Sequence, residues 1–216
     1  MALETVHGIV GGQMTLSEFN ILWRADFYRH TGQRSVGALM KHLLCSDADE
    51  CYSDGVKYTF YLRLSAYLRA AHPRWAMLIP YIICRRILTH YKYKFNISIS
   101  HHTSIGSGLY LGHVMNIVVS DYAKIGKNCN VSHGVTIGQV NRGARKGTPT
   151  IGDNVYIGPG ATIIGQIQIG NNVAIGANTV VTKDIPDNAV VVGVPSRVVS
   201  MDGSTGYVMN TDYGTN

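Results

Sequence analysis

From Ile105 onward a short aliphatic residue returns about every six positions, and glycine often follows it. The series runs Ile105-Gly106, Leu111-Gly112, Ile117, Ile125-Gly126, Val131, Ile137-Gly138, Ile151-Gly152, Ile157-Gly158, Ile163, Ile169-Gly170, Ile175-Gly176 and Val181. A period of six is the mark of a solenoid of short strands and predicts a parallel β-helix. Three rungs make a coil of about eighteen residues, with matching side chains stacked about 4.8 Å apart along the axis. Two interruptions stand out. Two extra residues between Ile117 and Ile125 predict a local bulge, and eight between Ile137 and Ile151 predict a loop over 139–150 that leaves the solenoid. Loops projecting from one face of a repeat protein are where ligands commonly bind.

Before the ladder the pattern is helical. Thr15-Leu16-Ser17-Glu18 forms a capping box ahead of Phe19, Ile21, Leu22 and Phe27, and Val36, Leu39, Met40, Leu43 and Leu44 sit at helical spacing in a second segment, 35–44. Residues 46–55 read as a loop. Residues 58–71 and 73–93 read as two more helices, the second kinked at Pro80. The domain reading is therefore a flexible or extraneous segment 1–13, a helical domain 14–95, a β-helix 96–200 carrying the extended loop 139–150, and a flexible tail 201–216. The fold class is mainly β with an α-helical N-terminal region.

Composition adds limits. Apolar residues are 45% and charged residues 15%, and the 24 glycines fall mostly in the repeat, where they suit corners. The net charge of +6 admits an anionic membrane surface or a phosphorylated small molecule, but no Lys/Arg-rich run of nucleic-acid type is present, so nucleic acid is not expected as a partner. Tyr61, Arg63, Tyr67, Arg69, Arg74, Arg85, Arg86, Lys92 and Lys94 crowd the third and fourth helical segments. The plain reading is a face packed on the β-helix with its charges in water; the sharper one is contact with a membrane surface or an anionic polymer acceptor. Cys45, Cys51, Cys84 and Cys129 lack metal or disulfide-framework spacing and suit buried thiols in a reducing cytoplasm. No signal peptide is read, and the ten apolar-rich residues 75–84 are too few to span a bilayer.

Chemistry points to two histidines. His113 lies two residues after Leu111 and His133 two after Val131, which puts both imidazoles on matching rungs of consecutive coils. Residues 98–199 resemble the hexapeptide-repeat acyltransferases and, within them, the serine acetyltransferase branch. The motifs are I-G-S-G-L-Y-L-G-H-V-M-N-I-V-V, P-T-I-G-D-N-V-Y-I-G-P-G-A-T-I-I-G, I-G-A-N-T-V-V-T-K-D-I-P and G-V-P-S-R. The resemblance implies a left-handed parallel β-helix, acetyl-CoA as donor, no metal, a homotrimer with active sites between neighbouring β-helices, and His113 as general base in direct attack of an acceptor hydroxyl on the thioester. Candidate contacts to the coenzyme are the cations Arg142, Arg145, Lys146, Lys183 and Arg197, and the small residues Gly158, Gly160, Ala161 and Ala177.

The chain departs from that branch at two positions. The branch has a carboxylate fifteen residues before the base, where this chain has Ser98, and a histidine thirty-five residues after it, where this chain has Thr148. With His133, these are the candidate acceptor contacts. A free amino acid needs partners for its carboxylate and ammonium, so the expected acceptor is a hydroxyl of a sugar or surface glycan, with serine as the alternative. The expected location is the cytoplasm or the inner face of the membrane. Two remoter readings are a β-helical zinc lyase using His113 and His133, which needs a third protein ligand, and an inactive β-helical scaffold.

Overall fold

A computed structural model of the chain describes residues 14–44, 51–71 and 73–214, without the side chains of 51–53 and 74. Helix α1 (Leu16–Thr31) begins at the capping box: the Thr15 hydroxyl accepts from the Glu18 amide at 3.2 Å, and the Glu18 carboxylate accepts from the Thr15 amide at 2.7 Å. It stops at Gly32, whose φ of 69° favours glycine. Helices α2 (Val36–Leu44), α3 (Cys51–Ala70) and α4 (Arg74–Phe95) follow. The expected loop over 46–55 is corrected in its second half, because Cys51 to Gly55 form the first turn of α3; residues 45–50 lie outside the described residues, as do 1–13. Pro80 sits inside α4 without ending it. Phe19, Trp23 and Phe27 of α1 pack with Leu39 and Val56 into a small core of the helical region.

The ladder folds into a coil with three parallel faces. The first face stacks β1 (Ser104–Ile105), β4 (Lys124–Ile125), β7 (Thr150–Ile151) and β10 (Gln168–Ile169). The second stacks β2 (Tyr110–Gly112), β5 (Asn130–Ser132), β8 (Tyr156–Ile157), β11 (Ala174–Ile175) and β13 (Val190–Val192), closed by the antiparallel β14 (Arg197–Ser200). The third stacks β3 (Val118–Val119), β6 (Thr136–Gly138), β9 (Thr162–Ile164) and β12 (Val180–Val181). The aliphatic rungs point inward and form one continuous core, with Ile137, Ile157, Ile163, Ile175 and Val181 sealed from solvent.

Register corrects one expectation. Val119, not Ile117, pairs with Ile137, so the two extra residues lie between Leu111 and Val119. The bulge therefore falls on the segment that carries His113. At the edge between the first and second faces, Asn128, Asn154, Asn172 and Asn188 all have φ between 56° and 61° or nearly so (Asn172 at 55°), and their amides form a ladder at 3.0, 3.0 and 3.1 Å.

The helices are clasped to the coil by buried charge. Asp26 of α1 pairs with Arg63 of α3 at 2.8 Å, and Arg63 donates to the carbonyls of Ile105 (2.7 Å) and Gly106 (2.6 Å). Arg63 is thus not one of a set of solvated cations. Residues 201–214, expected as a flexible tail, return along the second face: Tyr207 stacks on Tyr156, Arg34 donates to the Asp212 carbonyl, and the Tyr213 hydroxyl donates to Asn128 at 2.7 Å.

Candidate active site

The edge between the second and third faces holds both histidines. β2 pairs with β5 so that Leu111 faces Val131 and Gly112 faces Ser132, which brings the next residues, His113 and His133, side by side. Their ring centroids are 6.0 Å apart and the planes nearly perpendicular, at 83°; both residues are exposed. His113 has a φ of 51°, a left-handed conformation that a side chain other than glycine or asparagine rarely adopts. That conformation belongs to the two-residue bulge, and it turns the chain outward while Val114 and Ile117 return to the core.

The backbone leading to His113 is fixed from α1. Leu109 N–H donates to the Asp26 carboxylate at 2.8 Å, Arg29 Nε–H to the Gly108 carbonyl at 3.3 Å, and Leu111 N–H to His30 Nε2 at 3.1 Å. His30 Nδ1–H in turn donates to the Asp26 carbonyl at 2.7 Å, and its ring lies 4.8 Å from that of Tyr110. Burial pushes the His30 imidazole below its ordinary pKa, which keeps it neutral and able to accept from Leu111. None of Asp26, Arg29 or His30 stands out in the sequence; a His at the end of an ordinary amphipathic helix carries no signal that a strand will dock on it.

The other expected residues divide among the edges. Gly158, Gly160 and Ala177 share the histidine edge, but packing already demands the glycines. A Cβ at Gly160 would sit 2.3 Å from Asn178 Oδ1, and one at Gly158 would sit 2.8 Å from the Ile175 carbonyl oxygen. Ala161 is wholly buried in the core, so its side chain does not reach that surface. Arg142, Arg145, Lys146, Thr148 and Lys183 stand at the edge between the third and first faces, where the loop 139–150 folds back through paired hydrogen bonds between Val140 and Gly147. Arg145 reaches Asp184 at 3.3 Å, an exposed pair, while Thr148 donates to the Tyr122 carbonyl at 3.0 Å. Ser98 bridges Val118 on the third face, and Arg197 is exposed on β14. Within one chain, then, the loop cations and Thr148 lie on a different edge from His113. Among the described residues of one chain, no three His, Cys, Asp or Glu side chains are grouped to hold a metal ion.

Residues 148–183 match the family model described as bacterial transferase hexapeptide (six repeats). A serine acetyltransferase of Synechococcus elongatus is 37% identical over 136 residues, covering 62% of this chain and 55% of the relative. A crystal structure of serine acetyltransferase in complex with coenzyme A, from Brucella abortus, superposes with a TM-score of 0.65 at 27% identity, covering 86% of this chain and 69% of that one. The Neisseria gonorrhoeae serine acetyltransferase solved in complex with serine gives a TM-score of 0.62 at 27% identity, covering 86% and 70%. The chain thus spans about half the length of the Synechococcus relative it matches. These likenesses fit a left-handed sense for the β-helix. They also overturn the expected sugar or glycan acceptor: relatives and structural neighbours alike are serine acetyltransferases, one of them solved with serine.

Proposed function

We propose that this chain, a hexapeptide-repeat protein whose likeness lies with the serine acetyltransferase branch, is an acyltransferase that moves an acetyl group from acetyl-CoA to the hydroxyl of serine. The observation that carries the reading is the pair of exposed imidazoles on matching rungs, set on backbone that α1 holds in place. In the proposed reaction His113 takes the proton from the serine hydroxyl as its oxygen attacks the thioester carbonyl. The tetrahedral adduct then collapses, the carbon–sulfur bond breaks, and the imidazolium returns its proton to the departing coenzyme A thiolate. No covalent enzyme intermediate is required.

His133 is the polar neighbour proposed to meet the substrate. Ser98 stands where the resemblance places a carboxylate near the base, so a hydroxyl takes that place in the proposed site. The coenzyme's phosphates call for cations, and Arg142, Arg145, Lys146 and Lys183 form the exposed cationic edge. Because that edge and the histidine edge are different edges of one chain, the reading implies a homotrimer in which the loop edge of one copy faces His113 of the next. Thr148 then meets the acceptor from the neighbouring copy. Arg197 remains a candidate for the coenzyme's distal end. A cytoplasmic location fits the free buried thiols of Cys84 and Cys129.

Incubation of the protein with acetyl-CoA and L-serine, with mass analysis of the amino acid, tests the acceptor. The expected product is O-acetylserine accumulating with free coenzyme A; coenzyme A release that does not respond to serine sinks the proposal.

A further inference from the structure

Helix α4 is apolar on two opposite faces. Met77, Tyr81, Cys84, Leu88, Tyr91 and Phe95 recur at heptad spacing and turn inward, with Cys84 and Leu88 buried. On the other side Trp75, Leu78, Ile79, Ile82 and Ile83 follow the i, i+3, i+4, i+7, i+8 rule of a single helix face. All five are open to solvent, Trp75 at 82% and Ile79 at 69%. An exposed apolar stripe of this length is a contact surface rather than an ordinary scatter of surface residues.

The charge around the stripe says what covers it. From Gly55 to Ser120 the chain has eight Lys and Arg and no Asp or Glu. Two of the eight, Lys57 and Arg63, are buried; Arg69, Arg85, Arg86, Lys92 and Lys94 are exposed. Arg86 continues the stripe one turn beyond Ile82 and Ile83. Arg85 borders it, with its guanidinium donating to the Tyr81 hydroxyl at 3.4 Å, and that hydroxyl lies 3.2 Å from His101 Nε2. Beside them Arg69 donates to His102 Nδ1 at 2.8 Å, and the ring centroids of His101 and His102 lie 4.2 Å apart with the planes tilted by 41°. Burial, then the neighbouring His102, Arg85 and Arg69, hold the His101 imidazole down to about 4, so the guanidiniums supply the positive charge at neutral pH. Asp121 is the carboxylate that acts on His102. Two copies meeting through this face would bring Arg86 into apolar contact with no carboxylate from either α4. A nucleic acid would leave the five apolar side chains in water. An anionic bilayer satisfies both parts, because acyl chains accept the stripe and lipid phosphates accept the guanidiniums and ammoniums.

We propose that α4 is a docking helix that seats this protein on an anionic lipid surface, with the Trp75–Ile83 stripe in the headgroup–acyl boundary and Arg85, Arg86, Lys92 and Lys94 on the phosphates. The helix lies flat rather than crossing, since no described helix is long and apolar enough to span a membrane. At 22 residues it offers about 33 Å of contact. The inference is independent of the acetyl-transfer reading.

The full chain is mixed with phosphatidylcholine vesicles with and without phosphatidylglycerol, and flotation and tryptophan emission are followed. Trp23 is buried, so a change in emission reports Trp75. The expected result is flotation with the anionic vesicles alone, a blue shift of Trp75, and weakening as salt rises. Arg85→Glu with Arg86→Glu lowers partitioning on the order of a hundredfold, and Ile79→Asp with Ile83→Asp abolishes the shift while the circular dichroism and any serine-dependent coenzyme A release stay unchanged. Failure to float with phosphatidylglycerol overturns the proposal, as does equal flotation with both vesicle types. So does a change of sedimenting mass in the Ile79/Ile83 variant while the native chain ignores vesicles, which would make the stripe a contact between copies.

Discussion

His113 shows how a residue's surroundings outweigh its identity. Its left-handed φ of 51° comes from the bulge between Leu111 and Val119, and its position from the pairing of β2 with β5. The pairing of His113 with His133 was legible as a sequence offset; the bulge beside His113 was not, because Ile117 is apolar and mimics a rung while it fills the corner. His101 is held at about 4 when folded against about 6.5 in a free chain. The folded state therefore binds this proton less tightly, so the neutral ring's contribution is complete above about 6.5 and is lost as the pH falls through about 4. Urea midpoints measured at neutral pH and near pH 4.5 are expected to fall further for the native chain than for His101→Asn; equal falls would remove His101 from the acid sensitivity.

At the scale of elements the six-residue period translated directly into strands, because each aliphatic rung needs the same inward position on a face about two residues wide. The capping box at Thr15 was equally legible, since both partners are local. The start of α3 was not: Asp54 and Gly55 have turn-like propensity, and helical pairing of the buried 56–59 segment overrides it. The asparagine ladder is the element whose energetics separate most cleanly. Asn154→Gly keeps the left-handed φ of 57° accessible and removes only the amide pairing, whereas Asn154→Ala loses both. The alanine variant is expected to be less stable than the glycine variant by about 1–2 kcal/mol in chemical denaturation. Equal stability would mean that the turn relaxes and that the ladder's conformation carries no cost.

For the whole molecule, the helical region and the coil are joined by groups that local patterns do not reveal. Asp26 and Arg63 are thirty-seven positions apart and look like surface charges on separate helices, yet both are buried and reach the 105–109 backbone. Asp26→Ala strands the Arg63 guanidinium and is expected to cost about 3–5 kcal/mol in urea unfolding; a loss under about 1 kcal/mol would show that the clasp opens to water and relaxes. The same distance from local pattern bears on the proposed acceptor. Ser98 and Thr148 argued against serine as single substitutions, while the likeness over the whole coil and helical region argued for it. The claim that everything else serves is that the His113 edge carries acetyl transfer to serine. Its most direct test is the serine-dependent release of coenzyme A from acetyl-CoA by the native chain and by His113→Ala, with coenzyme A binding measured on both. The account predicts a loss of about a hundredfold to ten-thousandfold in turnover with coenzyme A binding retained; near-native turnover in His113→Ala would contradict it.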